Sequence, residues 1–377
     1  MAMTFGFLTE GDTPPGASVA ERYHEVIREA QFLEEMGFDF WGSSEQHFTG
    51  PAATISAPEV LYGAVAYSTS RIKLRTMSIV MLHFNHPIRT AERLATLDIL
   101  SRGRMEFGTA RGNNAGVVST FEIDAKGTRA EWRETLEVCV KALTEEKIEH
   151  HGKFYDISPT EVWPRLYQPD FPPIHVSATS IETHTTAGKL GIGAMNASPF
   201  GWDYQNDCIK AYRDGLASAE PLAGTQITEN MSLCIVGVHC APTKEQALDE
   251  ARPSSLGFAK FLMTFYGAIG DTSPDYAYLA DVKKTLGNHA DDLPYLVDAL
   301  PWFLIGTPDD IIKRLRVFES MGVDEVILRM DGHGHSKIMA SIEMFGKYVI
   351  PEFRNPGNVV RTSLYEDAGV AAHPYMI

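Results

Sequence analysis

The chain has 377 residues, 44% of them apolar and 22% charged, with a formal net charge of −16 at pH 7. That composition buries a large core and argues against disorder, and the acidic balance excludes nucleic acid and anionic membrane as partners, since both need a basic face. Cys139, Cys208, Cys234 and Cys240 lack metal or disulfide-framework spacing and read as free thiols; with no leader pattern and no apolar run of the roughly 18 residues that span a bilayer, the expected location is cytoplasmic.

Residues 4–8 predict a first strand, followed by a loop with Pro14 and Pro15. Tyr23, Val26, Ile27, Ala30 and Leu33 recur at helical spacing, and Gly37 ends that helix. Residues 39–43 predict strand two, which opens into the polar and aromatic run Ser44-Glu45-Gln46-His47-Phe48. A helix over residues 58–68 leads to residues 74–82, a run short and apolar on both faces, as a strand covered by helices on both sides is. Residues 83–87 break the pattern; Ile88, Ala91, Leu94, Ala95 and Ile99 then mark a helix with Gly103 as its stop, and residues 105–110 predict strand four. Strand, helix and strand make the crossover unit of a parallel sheet.

Beyond Asn114 come a loop and a helix carrying Trp132, Leu136, Cys139, Val140 and Leu143 on one face. Residues 147–173 are a proline-punctuated excursion in which His150 and His151 are expected to be solvated. Strand five falls at residues 174–178, and Ser180 and Thr183 then place hydroxyls and free backbone N–H groups at a helix N-terminus, which welcomes an anion. Residues 192–196 predict strand six, residues 231–239 strand seven and residues 241–252 the start of a helix, before an irregular aromatic insertion at 254–301. Thr307-Pro308-Asp309-Asp310 caps a helix ending at Gly322, residues 323–330 predict strand eight, and Ile338, Ile342, Phe345 and Val349 point a last helix inward.

Eight strands alternating with helices predict a (β/α)8 TIM barrel with insertions, one domain over residues 1–354 followed by a tail at 355–377. A doubly wound open sheet would carry a glycine-rich turn after strand one, and none is present. In a barrel the loops after the strands carry the chemistry, which selects Glu45 and His47, residues 78–86, residues 111–114, residues 179–183 and residues 331–335. Arg111 with Ser180 and Thr183 composes a plausible phosphate pocket, guanidinium plus hydroxyls and amides. His83 and His86 have no third ligand in view, so no metal site is expected, and His333 and His335 read as solvent-facing loop residues.

At these residues the chain resembles a known family. Ser44-Glu45-Gln46-His47-Phe48-Thr49, Met77-Ser78-Ile79-Val80, Asn85-His86-Pro87-Ile88-Arg89, Leu100-Ser101-Arg102-Gly103-Arg104 and Phe107-Gly108-Thr109-Ala110-Arg111-Gly112, in that order, look like the bacterial luciferase family of flavin-dependent monooxygenases. Ser177-Ala178-Thr179-Ser180 and Gly306-Thr307-Pro308-Asp309 extend the likeness, which covers about residues 3–354. The resemblance implies a luciferase-like barrel that takes reduced FMN from a separate NAD(P)H-dependent flavin reductase, reacts it with O2 to a peroxyflavin, and oxygenates a small organic substrate. It also implies a homodimer.

Carried across residue by residue, the resemblance assigns Arg111, Thr179, Ser180 and Thr183 to the phosphate and Asn113 to the loop behind the flavin. Met77-Ser78 matches a non-proline cis peptide under the flavin ring, and Glu45, Gln46 and His47 are the candidate catalytic residues. Where luciferase has two adjacent histidines this chain has Gln46 and His47, and where luciferase has a reactive cysteine it has Ala110; both departures argue against light emission from an aldehyde. The insertion, with Phe258, Phe261, Phe265, Tyr266, Tyr276, Tyr278, Tyr295 and Trp302, is expected to wall the substrate side. Two other readings stay open: a deazaflavin-dependent oxidoreductase that needs no oxygen, and a non-catalytic flavin-binding partner subunit.

Overall fold

Thr4–Thr9, Phe40–Ser43, Lys73–Arg75, Met105–Ala110, Ile174–Ala178, Gly193–Asn196, Met231–Ile235 and Glu325–Arg329 are the barrel strands, numbered one to eight in chain order. The computed structural model describes residues 2–286 and 289–354; the expected tail at 355–377 lies outside the described residues. The strands run parallel in the order three, two, one, eight, seven, six, five, four, and the pairing of Leu74 with Met105 and Arg75 with Glu106 closes the ring. The fold is therefore the expected (β/α)8 barrel, its strands buried on both faces because helices cover the outside. The helix Pro308–Ser320 illustrates the local logic: Thr307 and Asp310 form a reciprocal capping box, Pro308 occupies the first turn, and Ile311, Leu315 and Phe318 are buried. Among the described residues no helix is long and apolar enough to cross a membrane.

Several stretches differ from the sequence expectation. The run at residues 231–239 is two strands: Gly237–Cys240 leaves the barrel and pairs in parallel with Phe303–Gly306. Residues 254–301 are not irregular. One 27-residue helix, Lys244–Gly270, runs through Pro253, because Phe258, Leu262, Tyr266 and Ile269 lie along one face and pack into a second hydrophobic core with Leu279, Leu286 and Leu296. Burial of that face outweighs the lost hydrogen bond at the exposed Pro253. Trp202–Leu216 is a further helix, burying Ile209 and Tyr212, where the sequence reading placed nothing. On the helix Pro87–Ser101, Ile99 is 41% exposed and not part of the inward face.

The third strand matters most for the site. The run at residues 74–82 breaks at Thr76-Met77-Ser78 into Lys73–Arg75 and the short Ile79–Val80. The break drives backbone against both neighbours, and each neighbour has a glycine there. A Cβ on Gly42 of strand two would sit 2.1 Å from the Arg75 carbonyl, and one on Gly108 of strand four 1.7 Å from the Thr76 carbonyl. Thr76 Oγ1 accepts from the Gly108 N–H at 2.7 Å and donates to the Gly108 carbonyl at 2.9 Å. The Met77-Ser78 peptide, expected to be cis, is not: the cis bonds among the described residues are Gly50-Pro51 and Trp163-Pro164. Trans is the default for a non-proline pair; the Met77 N–H donates to the Ser43 carbonyl at 3.2 Å and Ser78 pairs in a parallel bridge with Ser44.

Below the break, Arg75 fills the barrel floor, with Nη1 and Nη2 donating to Glu325 at 2.7 and 3.1 Å and Nε donating to Glu106 at 2.7 Å. Above the floor lies an apolar layer of Leu8, Phe40, Met77, Met195, Cys234 and Ile327. The Gly108→Ala protein should lose more than about 3 kcal/mol, since a backbone carbonyl cannot yield to a methyl group; urea unfolding is the check, and a loss under about 1 kcal/mol would show that the two strands need not approach so closely.

Candidate active site

A cavity of about 150 Å³ opens among the loops after the strands, on top of that apolar layer. Leu8, Met77, Val80, Ala110, Met195, Cys234, Val236 and Ile327 line its waist, and Phe258, Phe261, Phe265, Tyr266, Tyr276 and Trp302 from the insertion line its roof. Tyr278 and Tyr295, expected in that wall, do not face the cavity. Burial pushes the Cys234 thiol up to about 12, so it stays protonated.

Glu45 ties the second and third strands together. Its Oε2 accepts from the Val80 N–H at 2.9 Å, Asn85 Nδ2 donates to both of its oxygens at 2.9 Å, and His47 Nε2 lies 2.9 Å from Oε1. Glu45 and Gln46 line the cavity; His47 does not. Its ring instead sits among Phe48, Phe84 and Phe121, with centroids 5.4 to 6.0 Å away, and Asn114 Nδ2 donates to its carbonyl at 2.6 Å. Of the three candidate catalytic residues, two reach the cavity and the third orients one of them.

At one end of the cavity stand Arg111, Asn113, Thr179 and Thr183. Among the described residues Arg111 makes no ion pair; its guanidinium lies 5.0 Å over the Tyr276 ring and Nη1 donates weakly to Thr128 Oγ1 at 3.5 Å. Ser180 is the N-cap of the helix Ile181–Lys189, accepting from the Thr183 N–H at 3.2 Å, and it does not itself line the cavity. A guanidinium without a carboxylate, two hydroxyls and a helix N-terminus suit a phosphate in number and charge, so these residues fit the phosphate of a flavin-type cofactor.

The other end is charged and was not legible beforehand. Glu10 and Arg329 line it. Arg329 Nε donates to Glu10 Oε2 at 3.0 Å and Nη2 to Asp12 at 3.3 Å, with the guanidinium 3.7 Å over Phe258, and Gln46 Nε2 donates to Glu10 Oε1 at 2.9 Å. Behind them Asp331 accepts from Thr9 Oγ1, the Glu10 N–H and Arg22. Burial works to raise the Asp331 carboxyl, but Arg329 and then Arg22 outweigh it and hold it below its ordinary value. Burial lifts Asp12 to about 6 against the pull of Arg329, with Asp331 adding repulsion.

His83, His86, His150 and His333 have structural partners. His83 Nδ1 lies 2.9 Å from Glu131 and Nε2 lies 3.0 Å from the Phe121 carbonyl, while His86 caps the following helix. His333 is buried, not solvent-facing, and bonded to Ser254 and the Val238 carbonyl; burial drops it to about 3. His150, expected to be solvated, is mostly covered and lies 3.2 Å from Glu134.

The Asp12 assignment yields a pH test. Its folded-state value lies above the ordinary carboxylate value of 3.8, so the favourable contribution is complete below that value and is lost as pH rises through about 6. Asp12→Asn should therefore gain stability over wild type, by up to about 3 kcal/mol, at pH 8 and gain little at pH 4. Urea midpoints at the two pH values measure this, and an equal difference at both would refute the raised value.

The sequence profile of the luciferase-like monooxygenases matches residues 3–325. Limonene 1,2-monooxygenase of Rhodococcus erythropolis is 26% identical over 343 residues, 88% of this chain and 81% of that protein. The F420-dependent glucose-6-phosphate dehydrogenase of Nakamurella multipartita is 24% identical over 337 residues, 88% of this chain and 92% of that protein. Among solved structures, the oxygenating constituent of 3,6-diketocamphane monooxygenase from Pseudomonas putida, a type II Baeyer-Villiger monooxygenase in complex with FMN, superposes with a TM-score of 0.75 at 22% identity, covering 93% of this chain and 99% of that one. That last likeness speaks for the fold, and the profile match over most of the sequence settles the family: this chain belongs to the luciferase-like monooxygenases, a family of oxidoreductases.

Proposed function

We propose that the protein is the oxygenating component of a two-component monooxygenase that takes reduced FMN from an NAD(P)H-dependent flavin reductase and uses O2 to oxygenate a small, largely apolar organic molecule. The observation that carries the reading is Arg111, without an ion pair among the described residues, beside the Thr179 and Thr183 hydroxyls at one end of an apolar, aromatic-roofed cavity. Reduced FMN, when bound, supplies the two electrons and the ring that activates O2. Arg111, Thr179, Thr183 and the helix N-terminus behind Ser180 bind its phosphate. Met77, Ser78 and Ala110 bound the cavity waist, and their largely apolar surface, with the roof of Phe258, Phe261 and Trp302, keeps water out. Gln46 presents an amide to the cavity; Glu45 keeps that loop in place, and His47 orients Glu45.

A second reading has specific support in the F420-dependent relative: the same barrel could carry a deazaflavin and transfer hydride without oxygen. The reading also includes a second copy of the chain. Val60 and Tyr67 lie two turns apart on the helix Pro58–Ser68 at 74% and 92% exposure. An apolar face of that kind suits a symmetric partner; sedimentation at the mass of a dimer is the expected result, and a monomer at all concentrations would count against it.

Rapid mixing decides between the cofactor readings. Enzyme loaded anaerobically with reduced FMN and mixed with oxygenated buffer should give a transient absorbing species, distinct from reduced and oxidised FMN, that outlasts the oxidation of free reduced FMN. Arg111→Ala should lose roughly tenfold or more in reduced-FMN affinity, as removal of a charge-assisted contact does. Weak FMN binding with no transient, alongside tight binding of F420, would favour the hydride-transfer reading.

A further inference from the structure

We infer that the phosphate end of the cavity is a closed end: the segment Pro274–Asp281 walls it so that a terminal phosphate monoester is accepted and a cofactor whose phosphate continues as a diester is rejected. The inference rests on the FMN reading above and concerns which phosphorylated flavins the site admits.

The segment is fixed to both loops that build the phosphate site. Tyr276 OH donates to the Gly112 carbonyl, beside Arg111, at 3.2 Å and lies 3.1 Å from Thr128 Oγ1, while its ring supports the Arg111 guanidinium. Two residues on, the Tyr278 hydroxyl is hydrogen-bonded to that of Thr179. Thr179 lines the cavity and Tyr278 does not, so Tyr278 stands behind the hydroxyl that faces the phosphate.

This wall is held from below. Tyr276 and Leu279 are buried in the second hydrophobic core, against the helix Lys244–Gly270. Farther out, Arg129 bridges Glu182, in the first turn of the helix whose N-terminus faces the site, to Asp275 on the segment; the Nη1 to Glu182 distance is 2.5 Å and the Nε to Asp275 distance 3.7 Å. Two carboxylates share one guanidinium there, so the outer rim carries excess negative charge.

A phosphate monoester ends at its three oxygens and needs no exit. A diester must send a chain onward, between Tyr278 and Thr179 or across the Glu182 and Asp275 carboxylates. FAD would have to thread its second phosphate and nucleoside through that wall, and F420, whose tail is acidic, would also meet like charge. The same barrel frame can thus serve either cofactor class, with the choice made by what covers the phosphate.

The test is an anaerobic equilibrium titration of the full-length protein with reduced FMN, riboflavin, FAD and F420. Wild type should bind FMN at least about tenfold tighter than each of the other three. Asp275→Ala combined with Tyr278→Ala should narrow the FMN to FAD gap to about threefold or less, whereas Tyr278→Phe, which keeps the ring, should leave it as in wild type. If FAD or F420 matches FMN in wild type while riboflavin binds more weakly, the closed end is wrong and the phosphate assignment stands. If riboflavin matches FMN, the phosphate assignment itself falls and takes the closed end with it. A gap that persists in a double variant shown by circular dichroism to be folded overturns the role of this segment; if the double variant does not fold, the wild-type ratios decide.

Discussion

The site depends on the broken third strand. Strands in a barrel normally hold neighbours about 4.8 Å away along their length, yet at Thr76-Met77-Ser78 the backbone presses into both sides, and only Gly42 and Gly108 make room. The break turns Met77, Ser78 and Val80 toward the cavity. Glu45 then locks the turn, spending its carboxylate on the Val80 N–H, Asn85 and His47. Removing Glu45 would leave the Val80 N–H without its acceptor and take from Asn85 and His47 the partner they share, so its first role is architectural.

Around that break the molecule separates its charges by height. The floor is closed by Arg75 with Glu106 and Glu325, and the mouth by Arg329 with Glu10, Asp12 and Asp331. Both groups are ion-paired, as buried charges must be. Arg111 stands apart from them, beside hydroxyls and a tyrosine ring with no carboxylate paired to it among the described residues. Between the ends lies an apolar waist beneath an aromatic roof.

Much of this was legible in the sequence because burial leaves periodic marks. The strand at Met105–Ala110, the helix at Pro58–Ser68 and the capping box at Thr307 appear where the residue pattern places them. What apolar runs do not report is direction: residues 74–82 and 231–239 each read as one strand, though the chain turns within both. Gly42 and Gly108 were the available signal for the first of these turns. The helix expected only over residues 241–252 runs on through Pro253, because burial of Phe258 and Leu262 overrides the lost hydrogen bond. The Glu10 to Arg329 pair joins residues 319 apart in the chain, and no local pattern carries such a contact. His47 stands beside the right loop, but only the aromatic rings around it decide that it faces away from the cavity.

The most direct measurement is the structure of the protein crystallised anaerobically with reduced FMN. The phosphate should lie within hydrogen-bonding distance of Arg111, Thr179 and Thr183, with the ring seated against Met77 and Ala110 and open space beneath Phe258 and Trp302. A phosphate held at the Glu10 and Arg329 end, or on the outer surface, would contradict the assignment of this cavity and every role derived from it.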